Sequence, residues 1–85
     1  MNNRDRLKEL VKYQLGIFDE DMIKDNASFV EDLGADELDR VELMIGMVEE
    51  FGIAIEETDA EKLLTFGDAL EYVEKKLQEK AKSHS

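Results

Sequence analysis

Residues 29–52 read Phe29-Val30-Glu31-Asp32-Leu33-Gly34-Ala35-Asp36-Glu37-Leu38-Asp39-Arg40-Val41-Glu42-Leu43-Met44-Ile45-Gly46-Met47-Val48-Glu49-Glu50-Phe51-Gly52. The second half of this run is a helix with both ends marked. Asp36 is a good N-cap, and Asp39, three residues on, is the acidic partner of a capping box. Glu37 adds negative charge in the first turn, where the helix dipole favours it. Gly52 stops the helix after Phe51. At about 100° per residue, Leu43, Met44, Met47 and Phe51 gather on one side. Leu38, Val41, Ile45 and Val48 gather on another, edged by Glu42 and Glu49. A helix on the surface of a small bundle needs only one apolar stripe. The second stripe is either more core or a surface for a partner, and the pattern leaves both open.

Upstream, Leu7, Leu10, Val11 and Leu15 lie at helical spacing, and Gly16 offers a stop, which predicts a first helix over 3–15. Between Gly16 and Asp36 no helical period holds. A connection of about 20 residues is long for a compact domain unless it is pinned. Ile17, Phe18, Met22, Ile23, Phe29, Val30 and Leu33 are the residues available to pin it, with a short helical turn expected at 19–23. Downstream, 60–64 predicts a short helix capped by Thr58 or Asp59. A last helix starts near Phe66–Gly67 and carries Leu70, Val73 and Leu77, and the polar stretch 80–85 reads as a frayed tail. The expected fold is all-α: three main helices plus one short helix, with a long first loop, in one domain over 1–85.

Acids outnumber bases 22 to 11, for a net charge of −11. That argues against nucleic acid, whose phosphates call for clustered Lys and Arg. It favours partner proteins with basic docking patches. No cysteine is present, so thiol and disulfide chemistry are absent. No run approaches the roughly 18–20 apolar residues of a membrane span. The polar start does not read as a secretory signal, so the cytoplasm is the expected location. The single histidine, His84, sits in the tail, away from any nucleophile and acid. The acids of 31–42 lack the ligand alternation of a calcium loop, and no metal site is expected. Nothing in the chain reads as an enzyme.

The segment from Phe29 to Leu43 resembles the signature of the acyl carrier proteins, in which a serine lies between the Asp and the Leu held here by Asp36 and Leu38. Gln14-Leu15-Gly16, Asn26-Ala27-Ser28-Phe29, Glu49-Glu50-Phe51 and Asp59-Ala60-Glu61-Lys62 are similar to bacterial members, so the likeness covers roughly residues 5–77. The resemblance implies a four-helix bundle, monomeric, with helix two meeting acyl-metabolism enzymes. The positions that match partner-contacting ones are Asp36, Leu38, Asp39, Val41, Glu42, Ile45 and Glu49. Val48, Gly46 and Gly52 depart from the family's common choices, and glycine inside a helix costs about 1 kcal/mol relative to alanine.

The resemblance also implies a serine esterified by 4′-phosphopantetheine, the arm that carries the acyl group. The matching position is Glu37. A carboxylate offers no hydroxyl for the phosphodiester, so position 37 is expected unmodified and no cofactor is expected. Glu37 is then either a plain first-turn acid or a permanent charge recruited to the docking surface. Two functional readings follow. One is an acidic carrier-like module that docks partners of fatty acid or related acyl metabolism without an arm. The other is a genuine carrier of fatty acid or polyketide synthesis whose serine was deliberately exchanged for Glu37. The departures at Gly46, Val48 and Gly52 favour the first, since a deliberate exchange needs only one change.

Overall fold

A computed structural model describes residues 1–82. Its elements are α1 (Asn3–Leu15), a single 3-10 turn (Glu20–Met22), α2 (Glu37–Phe51), α3 (Glu57–Ala60) and α4 (Phe66–Lys82). The four helices form the expected all-α bundle, three long and one short, and no β-strand occurs among the described residues.

Local chemistry sets most of the helix ends. The Asn2 side chain accepts from the Asp5 N–H at the start of α1, and Gly16 and Gly52, both at positive φ, end α1 and α2 in the left-handed conformation. The α4 start is a second reciprocal cap, which the sequence reading did not anticipate. There the Asp68 N–H donates to Thr65 Oγ1, and the Thr65 N–H donates to the Asp68 carboxylate.

The core takes one face from each long helix: Leu7 and Val11 from α1, Leu43, Met47 and Phe51 from α2, and Phe66, Ala69, Leu70 and Val73 from α4. Antiparallel α1 and α2 are tied at one end by Arg6. It donates to the Glu50 carboxylate at 2.9 Å and to the Glu50 carbonyl at 2.7 Å, and its guanidinium stacks 4.6 Å from the Phe51 ring.

The long first loop is ordered because it pairs with the segment entering α4. Phe29 N–H donates to the Leu64 carbonyl, Phe66 N–H to Ala27 and Gly67 N–H to Asp25, around an isolated bridge between Ser28 and Thr65. Buried Ile17, Ile23, Phe29 and Leu33 pin the loop as expected, whereas Phe18, Met22 and Val30 face solvent. Backbone hydrogen bonds do the work assigned to those three side chains.

Two other expectations are corrected. The short helix is α3 at 57–60 rather than 60–64, with Glu56 as an N-cap that makes no side-chain bond. Thr58 and Asp59 therefore lie inside the helix and do not cap it. At the other end, α4 continues through Lys82, helped by the Lys80 ammonium donating to the Gly52 carbonyl, so 80–82 are helical where a frayed tail was expected. His84 and the rest of 83–85 lie outside the described residues.

Candidate functional site

The start of α2 is built as its sequence dictates. The Asp39 N–H donates to Asp36 Oδ1 at 2.7 Å, and the Asp36 N–H donates to Asp39 Oδ2 at 3.1 Å, closing a capping box. Ala35, buried just before it, fixes where the helix emerges from the core. Glu37 is exposed in the first turn.

Along α2 the two apolar stripes have opposite fates. Leu43, Met47 and Phe51 are buried, with Met44 half-buried. By contrast Leu38, Val41, Ile45 and Val48 keep 64%, 51%, 53% and 37% of their surface exposed. The second stripe is therefore not core. Glu42 and Glu49 are exposed beside it, and Glu42 accepts a hydrogen bond from the Gln14 amide of α1. Of the site residues read from sequence, Leu38, Val41, Glu42, Ile45 and Glu49 share this solvent side. Asp36 and Asp39 are occupied with each other at the cap.

Each flank of the stripe opens into a depression. Toward α3 is a crevice of about 150 Å³ lined by Glu37, Arg40, Val41, Met44, Ala60 and Glu61. Arg40 is the cation among these, and its Nε is buried without a hydrogen-bond partner. The far wall is held by Tyr72 of α4, whose hydroxyl donates to the Asp59 carboxylate at 2.9 Å. Burial, reinforced by that bond and by the Asp59 charge, pushes the Tyr72 hydroxyl up to about 12. Toward α1 is a larger groove of about 480 Å³ between α1 and α2.

The sequence reading missed both depressions, because each joins helices distant in sequence. Tyr13 of the groove did leave a signal: it is an aromatic residue off the apolar face of α1.

The family described as "Phosphopantetheine attachment site" matches residues 5–73 of this chain. Among its relatives are the acyl carrier proteins of two strains of Nitratidesulfovibrio vulgaris, DP4 and Hildenborough. Each is 47% identical over 76 residues, covering 89% of this chain and 99% of the relative. The chain belongs to the acyl carrier protein family.

Acyl carrier proteins are carriers and not enzymes, which agrees with the lack of catalytic machinery in the sequence. The first turn of α2, where the resemblance puts the family's esterified serine, presents Asp36, Glu37, Leu38 and Asp39, none with a hydroxyl. The hydroxyls of Ser28, Thr58 and Thr65 lie outside this turn. Ser28 Oγ accepts from the Glu31 N–H and Thr65 Oγ1 from the Asp68 N–H, where the first loop meets the segment entering α4.

Proposed function

We propose that this chain is an acidic, monomeric acyl-carrier-type module of the cytoplasm. It docks proteins of fatty acid or related acyl metabolism through α2 and carries no 4′-phosphopantetheine. The observation that supports this reading is the combination on one helix of Glu37, a residue without a hydroxyl, with an exposed apolar stripe fringed by acids. A phosphoryl transfer to this position needs a hydroxyl to form the ester, and a glutamate side chain has none. Its negative charge still suits a helix N-terminus, so the fold does not depend on the lost chemistry.

Docking is the part of carrier work that needs no arm. Leu38, Val41 and Ile45 supply desolvatable area, while Glu42 and Glu49 supply charge complementary to a basic rim.

Co-expression with a phosphopantetheinyl transferase of broad specificity tests the loss. Intact-mass measurement is expected to show the bare chain, and Glu37→Ser is expected to gain the mass of the arm. An arm on the unaltered chain would refute the reading. Failure of Glu37→Ser to gain it would show that the transferase no longer engages α2.

A further inference from the structure

The groove between α1 and α2 adjoins the docking stripe and brings in residues of α1 that the carrier reading leaves unused. Its floor is Leu10, Ile45 and Gly46, and Tyr13 stands at its side, 87% exposed. Gly46 explains the shape. A Cβ at that position would lie 2.8 Å from Leu10 Cδ1, so the missing methyl lets α1 lie close while leaving the floor open. Glycine at mid-helix costs about 1 kcal/mol against alanine, and here it makes room.

The groove also has a definite electrostatic character. Glu42, Glu49 and Glu50 line it, and no cation does. Arg6 neutralises Glu50 from outside. The hydrogen-bond partner of Glu42 is the uncharged Gln14 amide, so that bond leaves its charge in place. Ile45 belongs both to the groove and to the exposed stripe, which makes the two one continuous surface.

We infer that the α1–α2 groove is the anchor pocket of the docking surface and takes a basic amphipathic helix of a partner protein, with Tyr13 as the aromatic contact. This deepens the proposed function and rests on its premise that α2 docks partners. Without an arm, affinity comes from protein–protein contact alone, and such contacts concentrate on a few desolvated anchors, Tyr prominent among them. A helix laid into an apolar groove buries its side chains at i, i+3 and i+4, and its Lys or Arg residues then meet the glutamate rim. A second copy of this chain is a poor occupant, because each carries a net charge of −11. An anionic lipid surface is disfavoured for the same reason.

The test uses the whole ¹⁵N-labelled chain and two synthetic amphipathic helices of about four turns, one of Leu and Lys and one of Leu and Glu. The Lys peptide is expected to shift the amides of Tyr13, Gln14, Ile45 and Gly46, and the Glu peptide to shift none. Tyr13→Ala is expected to weaken the Lys peptide roughly tenfold or more. It should leave the thermal midpoint in place, since so exposed a ring adds little to the core.

Shifts centred on Val41, Met44 and Ala60, with affinity unchanged in Tyr13→Ala, would overturn the groove and leave docking through α2 standing. Shifts remote from α2 would overturn both. Binding of neither peptide, or equal binding of both, would overturn the assigned occupant. So would a dimer that Tyr13→Ala dissociates, since the groove would then hold a second copy.

Discussion

At the scale of single residues, Asp36 and Glu37 are adjacent acids with separable roles. Asp36 accepts the Asp39 N–H, one of the donors that a helix start leaves without an intrahelical partner. Glu37 accepts nothing from the helix backbone and acts only through its charge near the dipole. Asp36→Ala is therefore expected to cost about 1 kcal/mol in urea unfolding, and Glu37→Ala only a few tenths. Equal losses would mean that Glu37 contributes contacts beyond its charge. The same asymmetry explains how position 37 can lose its hydroxyl without loss of the bundle: the cap that starts α2 is one residue earlier.

At the scale of elements, α3 depends on a neighbour. It has four residues and no side-chain N-cap, and the bond from the Tyr72 hydroxyl to Asp59 holds it to α4. Tyr72 keeps its proton to about pH 12 in the folded chain, whereas a free tyrosine loses it near 10. The folded state thus binds more protons than the unfolded state between these values. This contribution to stability is complete below about pH 10 and is lost as pH rises toward 12. In urea unfolding followed across this range, the advantage of the unaltered chain over Tyr72→Phe is expected to shrink between pH 10 and 12. A constant difference would show that the hydroxyl proton is not what holds α3.

The same bond shows why α3 was hard to read from sequence. Asp59 looks like a local cap, but its carboxylate is engaged 13 residues away, and four residues are too few to establish a period. The ends of α1 and α2 were legible because Gly16, Gly52 and the Asp36–Asp39 pair act on their immediate neighbours. The two faces of α2 were also legible, but which of them is core was not, since that depends on where α1 and α4 lie. The loop shows the same limit. Without periodicity, buried Ile23 and Phe29 look no different from exposed Phe18 and Met22.

At the scale of the whole molecule, the net charge of −11 is carried on a body about 41 × 28 × 20 Å across. Repulsion among dispersed acids acts over such distances, whereas the ion pair of Arg6 with Glu50 closes at 2.9 Å and that of Lys12 with Glu20 at 3.6 Å. Raising ionic strength from about 0.01 M to about 0.1 M shortens the screening length from about 30 Å to about 10 Å. That range removes repulsion across the molecule and largely spares the close pairs. The fold is therefore expected to gain stability with salt. A gain of about 1 kcal/mol corresponds to a rise of roughly 4–8 °C in Tm for a domain of this size. Differential scanning calorimetry in sodium chloride measures it, and magnesium chloride at matched ionic strength separates screening from specific binding. Lysine in place of both exposed Glu31 and exposed Glu71 should raise Tm at low salt and flatten its salt dependence. A Tm that falls with salt in the unaltered chain would mean that the close ion pairs outweigh the long-range repulsion.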